Sequence, residues 1–574
     1  MNAGNFTPAV EDAWFLLSQV EDTAGLLGLP AFAHTDAETA RAALDAAADF
    51  TRELLVPLGP AGDAEGCRLQ DGRVRTPRGF PEAYRAWSAA GWPGLDLPLD
   101  AGGQSLPLCV QVALAEMVNG ASVAFGMLTL QQRSAAHLLL GHADATLRER
   151  ILPRLLAGEW AATICITEPE AGSDVGRIRT LAVPQEDGSY ALSGSKMFIT
   201  FGDSDCAERT VHLALARTPG APAGTPGISL FALPSRRLAD DAPNGITVLR
   251  IEHKMGLRAS PTCALALENA IGHRIGAEGQ GLKCLFTMMN LMRLEVAVQG
   301  VALAEAATQR ALAYAAERRQ GGSASAPPVP IGAHADVQRM LLTMQARTQA
   351  MRALVVHAAQ CLDRARVAES AGEREAARGL AELLLPVCKT GGAEGAFEVA
   401  NLAVQVFGGH GYVSDHGVEQ IVRDCRVMAI YEGTSGIQAL DLLGRKVLRE
   451  GGQRYRLLGE AIRRDLARHA SDPALAPLHQ AAADALTRLD ACTAGLAARA
   501  TTAPREIEWA ATDYLQFTAL ACGAWMWLRM AAAARSDSPA DALRRRLAAF
   551  HAAWLLPQIG LHEARIALGE PPGC

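Results

Sequence analysis

Glu432 lies in the segment AIYEGTSGIQAL, residues 429–440, between a tyrosine and a glycine and ahead of two hydroxyl residues. Such a carboxylate can be a solvated charge near the start of a helix, where acidic residues are favoured. It can also be a base, because burial beside apolar groups raises the pKa of a carboxyl group and makes it a stronger proton acceptor near neutral pH. This segment alone leaves both interpretations open.

A turn that can hold a phosphate follows a predicted strand in ICITEPEAGSDVG, residues 164–176. The turn exposes consecutive N–H groups around Ala171, Gly172 and Ser173, and such groups bind phosphate oxygens. The hydroxyl groups of Thr167 and Ser173 can add polar contacts. An ordinary turn is the alternative for this segment taken alone.

The segment LSGSKMFIT, residues 192–200, ends a second predicted strand. The period of two places Phe198 and Thr200 on the same face. An aromatic ring beside a hydroxyl suits a flat ligand, whereas an ordinary core strand is the alternative.

A glycine-rich stretch, FGGHGY, follows an apolar run within VQVFGGHGYVSDHGVEQIVRD, residues 404–424. The glycines fit either a backbone that passes close to a ligand or the end of a helix. His410 and His416 lie in the same segment, but neither has a partner at metal-ligand spacing. No metal site is predicted.

The composition is that of an acidic, packed globular protein. Of the 574 residues, 49% are apolar and 20% are charged, and the formal net charge is −7. Disorder is therefore not expected, and the acidic balance argues against nucleic-acid binding. The basic residues comprise 5 Lys and 49 Arg, which we interpret as the codon bias of a GC-rich genome.

The 12 cysteines form no CxxC pairs or His/Cys clusters, so zinc and iron–sulfur sites are not expected. The N-terminal sequence MNAGNFTPAVEDAWF has neither the basic nor the apolar region of a secretory signal, and a cytoplasmic protein with reduced thiols is expected. The most apolar segment, FTALACGAWMWLRM at residues 517–530, is shorter than the roughly 20 residues of a membrane span. A buried helix or a subunit contact is expected there.

Periodicity predicts a mainly helical α+β protein in four parts. Helical spacing dominates residues 1–160, a β-domain follows at 161–275, the helical period returns at 276–450, and a helical extension occupies 451–574. Within the third part, GGSASAPPVPIG at residues 321–332 is predicted to be a loop. The predicted strands are AATICIT, YALSGSKMFIT, RTVHLALAR, GISLFAL and GITVLRI.

Taken together, the segments resemble the acyl-CoA dehydrogenase flavoprotein family. ITEPEAGSD, SGSKMFIT, ERRQG, QVFGGHGY and IYEGTSGIQ occur in that family's order and separation, and the resemblance covers roughly residues 80–450. The N-terminal extension, IEHKMGLRASPTC, FTMMNLMR and the helical extension are similar to the subgroup that includes 3-methylmercaptopropionyl-CoA dehydrogenase. The resemblance implies an N-terminal helical domain, a middle β-domain, a C-terminal four-helix bundle and the extension.

The family binds FAD, and its site uses residues from two subunits. The resemblance implies that Thr167 bonds the pyrimidine end of the flavin, that Phe198 packs beside the ring and that Thr200 lies near N5. Arg318 and Gln320 correspond to residues that hold the diphosphate and adenosine for a neighbouring subunit. The full set implied for FAD is Ile164, Ile166, Thr167, Gly172, Ser173, Phe198, Thr200, Arg318, Gln320, Gln405, Gly408, Gly409, Thr434 and Gln438.

Glu432 matches the family's catalytic base. In the family, this base removes the α proton of an acyl-CoA thioester, the flavin accepts a hydride from the β carbon, and a trans-2-enoyl-CoA results. The enolate oxygen is held by the backbone N–H of the base and by a ribityl hydroxyl of FAD. The residues implied for the acyl-CoA are Ser173, Asn290, Arg293, Tyr431 and Gly433.

Several positions depart from the family pattern. Gly321 stands where many relatives have Phe, and Asn290 replaces a common acidic residue one turn before the arginine. Glu170 occupies a turn position where Gly is common, and we expect it at the surface. One branch of the family takes its base from the residue just before the arginine, but here that residue is Met292, and Glu295 is the nearest alternative acid.

The resemblance implies an electron-transferring flavoprotein as the electron acceptor and a homo-oligomer, with a dimer favoured by the long extension. Thioether-containing acyl groups such as 3-methylmercaptopropionyl, straight chains and aryl-substituted groups remain open as substrates. An acyl-CoA oxidase, a relative that acts in DNA-alkylation responses and a scaffold without activity are the alternatives. The acidic charge speaks against the second, and the presence of Glu432 and Thr200 speaks against the third.

Overall fold

The computed structural model describes residues 6–449 and 451–570. An N-terminal helical region is followed by a β-sheet domain, a C-terminal helical domain and further helices, and the predicted fold class is confirmed. By residue contacts, the chain forms two compact units. We call them the helical unit, the described residues of Met1–Asp49, Pro107–Gly120 and Arg293–Cys574, and the sheet unit, Phe50–Leu106 and Ala121–Met292.

From residue 6 onward, seven α-helices precede the large sheet. They are α1 Val10–Phe15, α2 Thr23–Leu27, α3 Ala37–Phe50, α4 Val56–Glu65, α5 Phe80–Ala89, α6 Leu108–His142 and α7 Ala145–Leu156. Among the described residues, α6 is the one helix long and apolar enough to cross a membrane, yet 89% of its most apolar window is buried within the protein. Such burial is what the core helix of a globular protein shows. The turn-rich segment at residues 91–107 contains only short 3₁₀ turns.

Eleven α-helices follow the sheet in the described part of the chain up to residue 570. They are α8 Gly281–Glu317, α9 Ala335–Val367, α10 Ala371–Phe407, α11 Gly409–Tyr412, α12 Val418–Cys425, α13 Ser435–Leu440, α14 Gln453–His469, α15 Ala476–Arg499, α16 Pro504–Ala533, α17 Pro539–Phe550 and α18 Ile559–Leu568. Asp441–Arg449 continues α13 as a π-helix. The predicted loop at residues 321–332 is irregular except at its end, where two residues pair with the segment before it.

Residues 6–449 and 451–570 contain eleven strands. They are β1 Arg68–Gln70, β2 Arg73–Arg75, β3 Trp160–Cys165, β4 Leu181–Pro184, β5 Tyr190–Thr200, β6 Arg209–Arg217, β7 Ile228–Pro234, β8 Ile246–Ile251, β9 Thr262–Ile275, β10 Arg319–Gln320 and β11 Val329–Pro330. The main sheet has the order β3-β6-β4-β5-β9-β7, with β8 paired to β9 and an additional pairing of β6 with β7. The β3–β6 and β4–β6 pairs are parallel, and the other pairs of this sheet are antiparallel.

Both faces of the central strands are buried in the sheet unit. In β6, Val211, Leu213 and Leu215 pack into one apolar cluster, whereas Ala214 and Ala216 pack into another on the opposite face. Because side chains alternate across a strand, the nearly continuous apolar sequence of β6 fits a strand that is covered on both sides.

The segment at residues 517–530 lies inside α16 and is a buried helix of the helical unit. Trp527 donates from Nε1 to the Ala346 carbonyl at 3.3 Å, and Trp525 donates to Asp465 at 2.8 Å. Both rings are almost fully buried. Their polar edges are therefore satisfied, as buried tryptophans require.

Candidate active site

A sharp turn presents Glu432 between two helical segments of the helical unit. The 3₁₀ turn Arg426–Ala429 ends before it, and α13 begins after it. Thr434 caps α13, because its hydroxyl accepts a hydrogen bond from the Ile437 N–H at 3.2 Å. Glu432 has φ 55° and Gly433 has φ 90°, so both lie in the left-handed region. For a glutamate this conformation is strained, and such strain concentrates at functional sites.

Side chains from two helices fix the carbonyl groups of this turn. Lys389 of α10 donates from Nζ to the Gly433 carbonyl at 2.8 Å, and Gln438 of α13 donates from Nε2 to the Glu432 carbonyl at 3.0 Å. Ser435 donates to Glu394 of α10 at 2.6 Å. The backbone orientation of the turn is therefore set by α10 and α13 rather than by the turn alone.

Unlike the carbonyl groups, the N–H groups of this turn make no hydrogen bonds with described residues. Within the described part of the chain, no hydrogen bond involves the N–H of Glu432 or of Gly433. The turn therefore has both carbonyl groups engaged and two peptide donors available beside a carboxylate.

Burial raises the pKa of Glu432 to about 7, although the positive charges of Arg293 and Lys389 oppose the increase. Burial also lowers the pKa of Lys389 to about 8. Glu432 is half-buried as a residue and its neighbour Lys389 is fully buried. A carboxyl pKa raised into the neutral range suits a general base.

The substrate residues predicted from the resemblance occupy different settings. Arg293 is buried at the beginning of the third segment of the helical unit. It lies 3.8 Å from Asp441, and burial lowers the pKa of its guanidinium group. Tyr431 donates from its hydroxyl to Gln299 of α8. Asn290 is half-buried in the sheet-unit part of α8. Asp441 thus supplies, from a distant segment, an acidic partner for Arg293 that the sequence did not suggest.

Met292, the residue before Arg293, cannot accept a proton, and both it and Glu295, the predicted alternative acid, are buried. Met292 is 2% exposed and Glu295 is 3% exposed.

In the sheet unit, the predicted flavin residues of β3 and β5 meet at the ends of their strands. The Met197 N–H donates to the Thr167 carbonyl at 2.9 Å. The Thr163 hydroxyl donates to the Thr200 carbonyl at 2.6 Å. Gln131 of α6 accepts from the Ile164 N–H at 3.1 Å and donates to the Thr200 carbonyl at 3.2 Å.

Phe198 is 58% exposed, with φ 58°, at a register shift between Lys196 and Ile199 of β5. The bulge turns the ring outward while Ile199 stays buried. Strained backbone conformations of this kind concentrate at functional sites, and the exposed aromatic ring offers a flat apolar face.

The turn predicted to hold a phosphate is closed by its own backbone. The Ala171 N–H donates to the Glu168 carbonyl at 3.1 Å, so the expectation that this N–H is exposed to a ligand was wrong. Gly172 and Ser173 are exposed, and their N–H groups take part in no hydrogen bond in the part of the chain that the structure describes. A Cβ at Gly172 would meet open space.

A buried ion pair holds Glu168, the residue at the start of this turn. Glu168 bonds Lys196 at 2.7 Å and accepts from the Thr180 hydroxyl at 2.6 Å. The neighbouring Glu170 is exposed and pairs with Arg179 at 2.6 Å, as expected for a surface residue.

The residues predicted to serve a neighbouring subunit lie on a common part of the helical unit. Tyr314 of α8 stacks on Phe407 with ring centroids 4.1 Å apart, and its hydroxyl lies 2.8 Å from Nδ1 of His410. This contact brings the end of α8 beside the glycine-rich segment. The predicted residues there are Arg318, which is half-buried, and Gln320, Gln405, Gly408 and Gly409, which are exposed.

Gly321 and Gly322 follow with φ of 78° and 91°. A Cβ at Gly321 would lie 2.7 Å from the His334 ring. A phenylalanine in this conformation would be strained and crowded, which explains the departure from the family pattern.

Sequence reasoning missed the residues that hold the site together. Two of them bond backbone carbonyl groups of the site: Lys389 bonds Gly433, and Gln131 bonds Thr200. The other two, Glu168 and Lys196, bond each other beside the Gly172 turn. Each contact joins residues of different elements. The scarcity of lysine, 5 residues against 49 arginines, was the one available signal for two of them.

Sequence comparison identifies the family. The models described as acyl-CoA dehydrogenase N-terminal, middle and C-terminal domains match residues 37–159, 163–270 and 279–448, and an acetyl-CoA dehydrogenase C-terminal like model matches 458–572. A 3-methylmercaptopropionyl-CoA dehydrogenase of Ruegeria pomeroyi is 43% identical over 463 residues, which cover 79% of this chain and 78% of that protein.

Two solved structures share the fold. Caenorhabditis elegans ACDH-11 in complex with C11-CoA has a TM-score of 0.80 at 22% identity and covers 96% of this chain and 92% of its own. A Bacillus anthracis acyl-CoA dehydrogenase complexed with FAD has a TM-score of 0.78 at 20% identity, with coverages of 97% and 92%. With its domains and its relatives in agreement, this chain belongs to the acyl-CoA dehydrogenase family of FAD-dependent oxidoreductases.

Proposed function

We propose that the protein is an FAD-dependent acyl-CoA dehydrogenase that converts an acyl-CoA thioester to the trans-2-enoyl-CoA, with Glu432 as the catalytic base. The observation that carries the proposal is the turn at Glu432. There, a carboxyl group with a pKa of about 7 lies beside two peptide N–H groups that bond no described residue.

Glu432 removes the proton from the α carbon of the thioester. Because this carbon is a very weak acid, the base must be strong at neutral pH, and the raised pKa of the carboxyl group provides that strength. Bound substrate excludes further water from the half-buried carboxylate and strengthens the base again.

The negative charge that develops on the thioester oxygen requires hydrogen-bond donors. The N–H of Glu432 is such a donor, and the Lys389 and Gln438 bonds hold the two peptide planes that follow it in the turn. One well-placed donor contributes on the order of 10²–10³ in rate.

The residues present fit FAD. Exposed Phe198 offers a ring face for the isoalloxazine, and Gly172 leaves open space where a side chain would block a phosphate or ribityl group. Thr167 and Thr200 lie at the joined ends of β3 and β5, and Arg318 and Gln405 would serve a partner subunit. When bound, the flavin supplies the hydride acceptor for the β hydrogen.

The relative from Ruegeria pomeroyi supports 3-methylmercaptopropionyl-CoA, or a short acyl group of similar shape, as the substrate. An electron-transferring flavoprotein is the proposed electron acceptor, the proposed assembly is a homodimer, and the proposed compartment is the cytoplasm. The domain limits proposed are 1–160, 161–275, 276–450 and 451–574.

The test combines spectroscopy with a panel of acyl-CoAs. Purified protein should carry a flavin spectrum that bleaches on addition of 3-methylmercaptopropionyl-CoA or short straight-chain acyl-CoAs without an acceptor, and the same acyl-CoAs should reduce a dye when one is supplied. Glu432→Gln should retain the flavin and lose bleaching, whereas Glu295→Gln, which changes another buried acid of the helical unit, should retain both. An active Glu432→Gln protein would refute the assignment of the base, and peroxide release without an added acceptor would identify an oxidase.

A further inference from the structure

We propose that Lys389 is a positioning residue that fixes the Glu432–Gly433 turn and keeps the Glu432 carboxylate ionised and ready to accept a proton. This inference rests on the proposed function and deepens it. Lys389 itself touches no reacting atom in the proposal, because it acts through the turn.

The use of lysine in this chain is selective. Only 5 of its 54 basic residues are lysines, and three of them, Lys196, Lys389 and Lys446, are less than 10% exposed. Codon bias replaces lysine with arginine most easily at the surface, where either residue is solvated. Lysines that persist in buried positions therefore mark places where a compact ammonium group fits and a planar guanidinium does not.

Lys389 has an unusual environment for a buried cation. Its side chain is 0% exposed. Among the described residues, its ammonium group makes one hydrogen bond, to the Gly433 carbonyl, and no carboxylate oxygen lies within 4.0 Å. Taking a charged group out of water without an ion pair is costly. This arrangement persists because the backbone carbonyl of the turn and more distant acids share the charge.

The charged groups that face Glu432 within the helical unit come from two helices. Arg293 of α8 and Lys389 of α10 both favour the ionised carboxylate. Lys389 in turn faces Glu432, Glu394 and Arg293. Arg293 has Asp441 as its own counter-charge at 3.8 Å, whereas Lys389 has none at ion-pair distance, so the field of Lys389 acts on Glu432 without a nearby anion to cancel it.

The contact also has a geometric consequence. Lys389 holds the Gly433 carbonyl at 2.8 Å, and Gln438 holds the Glu432 carbonyl at 3.0 Å. Each carbonyl group shares a peptide plane with the N–H of the next residue, so the Gln438 bond holds the plane that carries the Gly433 N–H, and the Lys389 bond holds the following plane between Gly433 and Thr434. Loss of the Lys389 bond frees one of these planes.

The test compares Lys389→Met, Lys389→Arg and Lys446→Met in the flavin-loaded protein. Lys446 is the matched control, because it is also buried, its pKa is also lowered to about 8, and it is not among the charges that act on Glu432. In kcat/KM against pH, the acid limb of Lys389→Met should move up by about one unit, and Lys446→Met should keep the parent limb. Lys389→Arg, which retains the charge but misplaces the donor, should keep the limb and lose on the order of tenfold or more in kcat.

A second measurement does not depend on turnover. The infrared carboxyl band that Glu432→Gln removes reports the titration of Glu432 directly, and its midpoint should rise by about one unit in Lys389→Met. An unmoved midpoint overturns the inference, as does a Lys389→Arg protein with parent kcat. If no acyl-CoA bleaches the parent protein, the proposed function fails, yet the infrared titration still decides whether Lys389 controls Glu432.

Discussion

Replacing Glu432, the proposed base, should make the protein more stable at alkaline pH. The pKa of Glu432 rises from 4.5 to about 7 in the folded protein, so the folded state binds a proton more tightly than the unfolded state between these values. Stability therefore falls as the pH rises through this window. Each unit corresponds to about 1.4 kcal/mol, and the ionised carboxylate costs at most about 3 kcal/mol of the free energy of unfolding.

Glu432→Gln removes this cost because the amide does not ionise. Since Glu432 is half-buried and retains some solvent contact, we expect about 1–3 kcal/mol at pH 8 and no difference at pH 4.5. The assay is thermal unfolding of both flavin-loaded proteins without substrate at several pH values. For a chain of this size the melting temperature should rise by about 1–3 °C at pH 8. The reasoning is refuted if the two proteins differ equally at both pH values or not at all.

Glu168→Gln is the control with the opposite sign. Although burial opposes it, the charge of Lys196 and several hydrogen bonds lower the pKa of Glu168. Its stabilising contribution is therefore present above the unfolded pKa and is lost as the pH falls through the folded pKa. This variant should be less stable than the parent at pH 8, and the two should converge in acid.

Two further substitutions test the strained positions. Gly433→Ala should lower kcat on the order of tenfold or more with the flavin spectrum intact. Gly433 has φ 90°, and a Cβ there would lie 2.7 Å from Gln438 Nε2. Steady-state kinetics measure kcat, and an unchanged kcat would contradict the prediction. Phe198→Gly should leave the melting temperature of the flavin-free protein unchanged or raise it, since glycine tolerates φ 58°. A flavin fluorescence titration should show that this variant binds FAD more weakly. An FAD affinity equal to that of the parent would contradict a role for the ring.

Local signals predicted the strands of the sheet unit unevenly. The segment YALSGSKMFIT coincides with β5 and RTVHLALAR with β6, because alternating or continuous apolar residues stand between clear breaks. The longest strand, β9, was not predicted, although it pairs with β5, β7 and β8. Its sequence includes Asn269 with φ 53° and a glycine, which weaken the local pattern, and its place in the sheet depends on partners distant in sequence.

The candidate site likewise contains residues that local sequence predicted and residues that it did not. Glu432, Phe198 and Thr200 were predicted because they lie inside short motifs. Lys389 and Gln131 were not, because each sits in a long helix and its role depends on one backbone carbonyl group that folding brings near. A short motif identifies candidate catalytic and binding residues, whereas the residues that position them depend on tertiary packing.

The turn at Glu432 shows why such support is needed. A partly buried acid, a left-handed glutamate and two N–H groups without described partners each oppose folding. The turn persists because its carbonyl groups are bonded from α10 and α13 and because Thr434 caps the following helix. With its acceptors engaged and its donors available, the turn favours an anion next to the base. In the proposed reaction, the charge that proton removal creates on the thioester oxygen is therefore stabilised by the same strained turn that carries the Glu432 carboxylate.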